Sequence, residues 1–280
     1  MLNHKYDFLV VISANRANPN GDPLNGNRPR EDSEGYGEIS DVCLKRKIRN
    51  RLLDMGENIF VQSDEKSIDD CKSLSERAAS NLKGMEKNKD EYAQKACELW
   101  TDVRSFGQVF AFKKSNAANE VSVGVRGPVS IHPAFSVTPI EIEDLQITKS
   151  VNSEPAAGKS SDTMGMKHRI NFGVYVTKGS INCQLAEKTG FTDEDAEKIH
   201  KALISLFEND ASSARPEGSM AVERVYWWKH DSQAGQYPSV KVHNSVQVLL
   251  KDGVESPKSI NDYEIKYTPL EGLNADIYEL

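Results

Sequence analysis

The sequence predicts an α+β fold, a sheet packed against helices with long polar insertions, and three observations lead there. A compact apolar run rich in Val and Ile, YDFLVVIS at 6–13, is bounded by turn formers as strands are. Two later segments repeat their apolar residues at helical spacing: Leu44, Ile48, Leu52 and Met55 in the first, and Ala196, Ile199, Leu203, Leu206 and Phe207 in the second. Between and after them lie stretches of alternating apolar and polar residues. At 280 residues and 38% apolar, the chain can bury the core of one large domain and still carry insertions.

The elements follow in order. After the first strand comes a long run of Asn, Gly, Pro and Arg. Ser40 then stands where an N-cap belongs, with Asp41 in the first turn, and Lys45, Arg46 and Arg49 project roughly opposite the apolar stripe. Residues 54–102 hold twelve acids against seven bases, and from 63 onward read as a helical insertion without strand signal. EVSVGVRGPVSI (120–131) reads as one alternating strand, with Gly124 and Gly127 marking a close approach to its backbone. Residues 133–166 read as an extended hairpin, because their Pro/Ala/Gly/Ser tract cannot bury itself. INFGVYVTKGSINCQL (170–185) is expected to be a strand pair turning at Lys178 and Gly179. A helix over 192–209 starts at Thr192, and SVKVHNSVQVLLK (239–251) is expected to be the last strand, closing the core. Strand, helix, strand, strand, helix, strand is the order of the ferredoxin-like or RNA-recognition-motif plan, with insertions after the first helix and after the third element. No internal repeat is present.

Composition excludes several classes. The N-terminal apolar run is too short and wrongly flanked for a signal peptide, and no window reaches the length of a membrane span. Cys43, Cys71, Cys97 and Cys183 lie far apart with no CxxC or Cys/His spacing, so neither zinc nor a disulfide framework is implied and a reducing cytoplasm is expected. GKS at 158–160 lacks both the glycine at 153, where Ser153 stands, and the preceding strand that a phosphate-binding loop needs. NPNGDPLNGN has the oxygen-rich look of a calcium loop, yet Pro23 occupies the position that requires glycine. RSFGQVFAF (104–112) partly matches the first ribonucleoprotein motif, and a buried aromatic segment explains it as well. His132, His168, His200 and His230 are scattered singly, and no set of carboxylates is arranged to hold a metal. No cofactor and no metal are expected.

Charge is sorted by segment. The net is −7, which by itself argues against a nucleic-acid partner. Yet five of the seven residues from Lys45 to Arg51 are basic, and Lys159, Lys167, Arg169 and Lys178 face Asp162 alone in 159–178. Either a solvated helix surface or a phosphate-binding face accounts for KRKIRNR. Arg16, Arg28 and Arg30, set among glycines and asparagines in the loop just before it, favour the second, since such a loop lets a phosphate backbone approach closely.

NPNGDP, GNRPR, GYG, SDVCLKRKIRN, DVRSFG, GVRGPVSI and TMGMKHRI, in that order, closely resemble the backbone subunit of the type I-C CRISPR Cascade complex, a Cas-seven-type member of the RAMP superfamily. The resemblance runs from residue 6 to about 180 and more loosely beyond. It implies one RAMP-type domain over 1–280, shaped like a right hand: a ferredoxin-like palm, a helical insertion at 54–102 as fingers, and a β-hairpin thumb at 133–166. It implies a non-catalytic subunit that lines up head to tail along CRISPR RNA, displays the guide to target DNA, meets other Cascade subunits and touches no membrane. On the RNA track the resemblance would place Asn15, Arg16, Arg28, Arg30, Lys45, Arg46 and Arg49, with Arg126, Lys167, His168 and Arg169 from the palm and the thumb's return, and Thr148 and Lys149 near the kink of the strand. The rival expectation is a metal-independent endoribonuclease that processes CRISPR transcripts with His168 as general base. A third is a scaffold that binds only proteins.

Overall fold

The first strand forms as its Val/Ile run predicts and extends by two residues: β1 spans Tyr6–Asn15 and is buried on both faces except at its end. The computed structural model describes residues 1–85, 88–111, 122–148 and 164–280. The polar run after β1 folds into a small hairpin, β2 (Gly21–Asp22) against β3 (Arg28–Pro29), and continues into β4 (Tyr36–Ile39). Helix α1 (Asp41–Asp54) follows, with Ser40 capping it through a bond from the Cys43 amide, and buries Leu44, Ile48 and Leu52. The insertion contains α2 (Leu74–Leu82), α3 (Lys89–Leu99) and α4 (Thr101–Phe106), and then β5 (Gly107–Ala111) pairs with β6 (Ser122–Arg126).

Next come β7 (Val129–Ile131), β8 (Ala134–Pro139), β9 (Ile142–Thr148), β10 (Met164–Ile170) and β11 (Phe172–Ile181). Helices α5 (Cys183–Thr189) and α6 (Asp193–Ile204) lead to β12 (Met220–Lys229), the short α7 (Ser239–His243), and strands β13 (Val246–Leu250), β14 (Tyr263–Tyr267) and β15 (Ala275–Glu279). Thr192 opens α6 with a complete capping box, its hydroxyl bonded to the Asp195 amide and the Asp195 carboxylate returning to the Thr192 amide.

The central sheet is antiparallel throughout, in the order β15, β12, β1, β11, β8, β4, with β7 also pairing β11. Taking β1, the β7/β8 edge, β11 and β12 as the four core strands, their spatial order is fourth, first, third, second, the arrangement that strand–helix–strand–strand–helix–strand chains adopt. α1 and α6 pack side by side on one face, burying Leu44, Ile48, Ile199 and Leu203 against Phe8, Val10 and Ile12. The other face is covered as well: Val242, Val246, Tyr263 and Leu273 close over Leu9, Val11, Val174, Tyr226 and Trp228. The sheet therefore leaves no open face over those strands on which bases could stack.

Three expected strands are corrected. Residues 120–131 are not one strand: β6 belongs to the insertion's hairpin and β7 to the central sheet, with the break at Gly127 and Pro128, where the missing amide ends the ladder. Lys178 and Gly179 are not a turn but lie inside the continuous β11, and Gly179 is there for space, since a Cβ would come within 2.1 Å of Phe8 Cζ. The strand that closes the core is β12, not 239–251; Pro238 starts one helical turn at Ser239, and β13 pairs with β14 in a separate two-stranded sheet.

The insertion has a core of its own, built from Phe60, Leu82, Tyr92, Trp100, Phe110 and Val123. Phe110 is thus interior, and the partial ribonucleoprotein motif at 104–112 is a helix end running into a strand that buries it. Of residues 133–166, 134–139 form β8 in the central sheet, while 142–148 pair with 164–170. Lys149 and the GKS stretch lie outside the described residues.

Candidate nucleic-acid interface

The polar run resolves into an ordered surface hairpin whose asparagines serve its own backbone. Asp22 accepts the amides of Asn25 and Asn27 with its carbonyl and that of Leu24 with its side chain, while Gly26 and Asn27 both take positive φ, which their small or polar side chains permit. Buried Asn18 donates to the Asn27 carbonyl. Asn20 Oδ1 accepts from both the amide and the hydroxyl of Ser40, so the loop also fastens the N-cap of α1. The tip, 23–27, is exposed.

Asn15 and Arg16 are exposed at the end of β1. Arg16 holds φ of +50, a conformation that costs a non-glycine residue roughly 1 kcal/mol or more. Two bonds fix it: its amide donates to the Asn171 carbonyl, and the neighbouring Ala17 carbonyl accepts from Ile170. The chain after β1 is thereby tied to the base of the β9–β10 hairpin. Arg28 crosses the same gap and pairs with Asp144 of β9, which His168 Nδ1 also meets at 2.6 Å from the directly opposite position on β10. Arg30 lies 3.8 Å from Asp22. Arg169 pairs with Glu143 at 2.9 Å on the hairpin's other face, which Lys167 shares. The structure thus brings Asn15, Arg16, Arg28, Arg30 and His168 together at the hairpin base, with Lys167 and Arg169 on the opposite face of the same strand.

The basic helix is different. Lys45 makes an (i, i+4) pair with Asp41 at 3.0 Å. Arg46 donates to the Val61 carbonyl at 2.6 Å; burial and then the adjacent Arg49 push its guanidinium below the usual range. Arg49 Nε donates to Asp102 at 2.9 Å and its guanidinium lies over the Phe106 ring. Asp102, 1% exposed, accepts the Phe60 and Val61 amides too. Lys47, 3% exposed, pairs with Asp210, and burial lowers its ammonium despite that partner. Arg51 reaches Glu208 at 2.6 Å. The run therefore clamps α1 to the insertion on one side and to the segment after α6 on the other. Asp102 and Asp210 are the functional partners sequence reasoning missed; lying 53 and 163 residues from their cations, they left no local signal.

Arg126 is exposed on β6 and Thr148 at the outer end of β9, both on elements other than the loop and α1. Among the described residues Arg16, Arg126 and Lys167 have no ionic partner. No group of three or more His, Cys, Asp or Glu among them is placed to hold a metal ion, and no helix is long and apolar enough to cross a membrane.

Fold and site together define an α+β protein with an open antiparallel sheet covered on both faces and a cation-bearing rim beside a two-stranded arm. The family model described as CRISPR-associated protein Cas7 matches residues 4–268, and the chain belongs to that family. A curated relative from Haloferax volcanii, named CRISPR-associated protein Cas7, is 26% identical over 283 residues, covering 95% of this chain and 82% of its own. Two solved chains are similar over 80% of this one. One, titled CRISPR RNA-guided surveillance complex, pre-nicking, has a TM-score of 0.49 at 15% identity and is covered over 78% of its length; the other, titled CRISPR RNA-guided surveillance complex, has 0.44 at 17% and 68%.

Proposed function

We propose that this protein is the non-catalytic backbone subunit of a type I-C CRISPR interference complex, binding CRISPR RNA and repeating head to tail along it so that the guide pairs with target DNA in antiviral defence. Membership of the Cas7 family supports the class, and the motifs quoted above support the subtype. In this reading the central sheet is the palm, residues 54–102 are the fingers, and within 133–166 the β9–β10 arm is the thumb, β8 belonging to the palm. Thr148 and Lys149 lie near the kink of the RNA, and the protein works in the cytoplasm with other Cascade subunits.

The observation that carries the RNA reading is the loop of Arg16, Arg28 and Arg30 bonded against the hairpin base that bears Lys167, His168 and Arg169. RNA backbone runs along that seam, with Asn15 and Lys45 beside it and Arg126 further along. Arg46 and Arg49 also hold the fingers, each through one guanidinium N–H, to the Val61 carbonyl and to Asp102, which leaves their remaining N–H groups for phosphate. Replacing Arg16, Arg126 and Lys167 together by Ala should weaken binding to every guide sequence alike. The slope of log K against log salt should become shallower by roughly 2 for three lost contacts on a single strand. An unchanged slope would remove the seam from the RNA path.

One observation favours the endoribonuclease reading: Asp144 stands behind His168 at 2.6 Å, as an acid that orients a base would. Repeat-containing RNA incubated with the purified protein, with and without magnesium, should nevertheless stay intact. Cleavage that disappears in His168→Ala would reverse this choice.

A further inference from the structure

The Asp144 carboxylate occupies a position built for an anion. Arg28 Nη1 meets both of its oxygens, and His168 Nδ1 meets Oδ1 at 2.6 Å. These three groups come from separate strands: Arg28 from the loop hairpin, Asp144 and His168 from directly opposed positions on the arm. They lie at the surface, with Arg28 29%, Asp144 42% and His168 11% exposed. Gly26, at the loop tip, stands over the far side of the imidazole; a Cβ there would be 3.9 Å from His168 Nε2, so the ring's second nitrogen looks toward open, unbranched backbone. The guanidinium, then the imidazole, hold the carboxyl of Asp144 below its usual value.

Two oxygens held by a planar guanidinium and a ring N–H are what the non-bridging oxygens of a phosphodiester also accept. We propose that Arg28 and His168 form a binding site for one backbone phosphodiester, and that Asp144 fills this site in the RNA-free protein and must swing away when a phosphate enters. The proposal rests on the RNA-binding reading and adds to it an internal competitor. Exposed ion pairs contribute little, so the carboxylate is displaced at small cost. While in place it neutralises Arg28, disfavouring isolated anions that make no other contact. A long strand that engages the rest of the seam supplies the remaining contacts and takes the site over.

The test uses the full chain and a fluorescently labelled single-stranded RNA of about thirty nucleotides, followed by anisotropy across a salt series. Four variants accompany the native protein: Asp144→Asn, Arg28→Gln, the two combined, and Glu31→Gln. Glu31 is an exposed acid of the same loop whose side chain has no hydrogen-bond or ionic partner among the described residues, so it makes the same charge change without touching the site. Asp144→Asn should bind tighter by roughly five-fold at 0.1 M salt, because no carboxylate has to leave, with the salt slope close to the native one, since the same phosphate is contacted in both complexes. The gain should vanish in the double variant and be absent in Glu31→Gln. Circular dichroism keeps any unfolded variant from being misread.

If native protein binds RNA but Asp144→Asn binds no tighter, or more weakly, the carboxylate positions Arg28 rather than competing for it, and the inference fails alone. An equal gain in Glu31→Gln reduces the effect to overall charge and overturns it too. If neither native protein nor Asp144→Asn binds RNA, the RNA reading itself falls and takes the inference with it.

Discussion

Two sets of cations lie next to each other in the sequence and behave in opposite ways. Those on α1 from Arg46 to Arg51 bind the protein itself: Lys47, Arg49 and Arg51 each reach a carboxylate brought in from a distant segment, and Arg46 a carbonyl. Those along the loop and the hairpin arm stay at the surface, and Arg16 and Lys167 keep no ionic partner among the described residues. The comparison teaches that a dense basic run is not by itself a polyanion site. Such a run on a helix packed between the acid-rich insertion and the segment after α6 meets buried protein carboxylates such as Asp102 and Asp210, whereas the loop cations Arg28 and Arg30 meet only partly exposed ones, Asp144 and Asp22, which solvent and a ligand can also reach.

The largest effect should come from the α1 side. Arg49→Ala leaves Asp102, 1% exposed, without its only ion-pair partner among the described residues, and removal of one member of a buried pair costs about 3–5 kcal/mol. Urea denaturation should show that loss, with Arg49→Lys intermediate because an ammonium keeps the charge but not the fork. A variant with native stability and weakened RNA binding would invert the comparison, making Arg49 a ligand group.

Acid should act next, again on interior charge. Burial holds His200 and His243 below the ordinary imidazole value of 6.5, against the pull of nearby carboxylates. The unfolded chain therefore takes up protons first as pH falls below about 6.5, and stability declines from there. Asp7 adds a second stage. Burial alone would raise its carboxyl, but hydrogen bonds from His230, Ser239 and Lys5 together outweigh it and leave it lowered. Its contribution is complete above the ordinary value of 3.8 and is lost as pH drops through the lower folded-state value. Urea midpoints at pH 7.5, 6 and 5 should fall in that order, and His200→Gln with His243→Gln should flatten the first stage. A flat profile in the native protein would show that the interior histidines charge as freely as exposed ones.

The smallest effect should lie on the rim and should split two quantities that move together elsewhere. Arg16 sits at φ +50. Arg16→Gly removes both the strain and the charge, so stability should rise or hold, by up to about 1 kcal/mol, while RNA affinity falls. Loss of both would mean the side chain supports the fold, and Arg16 would join the α1 set.

The sequence by itself determined the parts whose signals are local. Ser40 and Thr192 announced their helices by capping chemistry that acts within three residues, the stripes of α1 and α6 repeated at helical spacing, and β1 read as a strand from its Val/Ile run. Motif order over the first 180 residues pointed to the family that the match over 4–268 establishes. Strands are less legible: the alternation at 239–251 looks more like a closing strand than β12 does, and Gly179 looks like a turn, because whether a glycine bends a chain or makes room for Phe8 depends on a strand 171 positions away in register. Only the tertiary structure decided which cations are free. The helix period says which way Arg49 and Lys47 point, but their partners Asp102 and Asp210 arrive through chain reversals, and charge pairing at such separations has no period in the sequence to betray it.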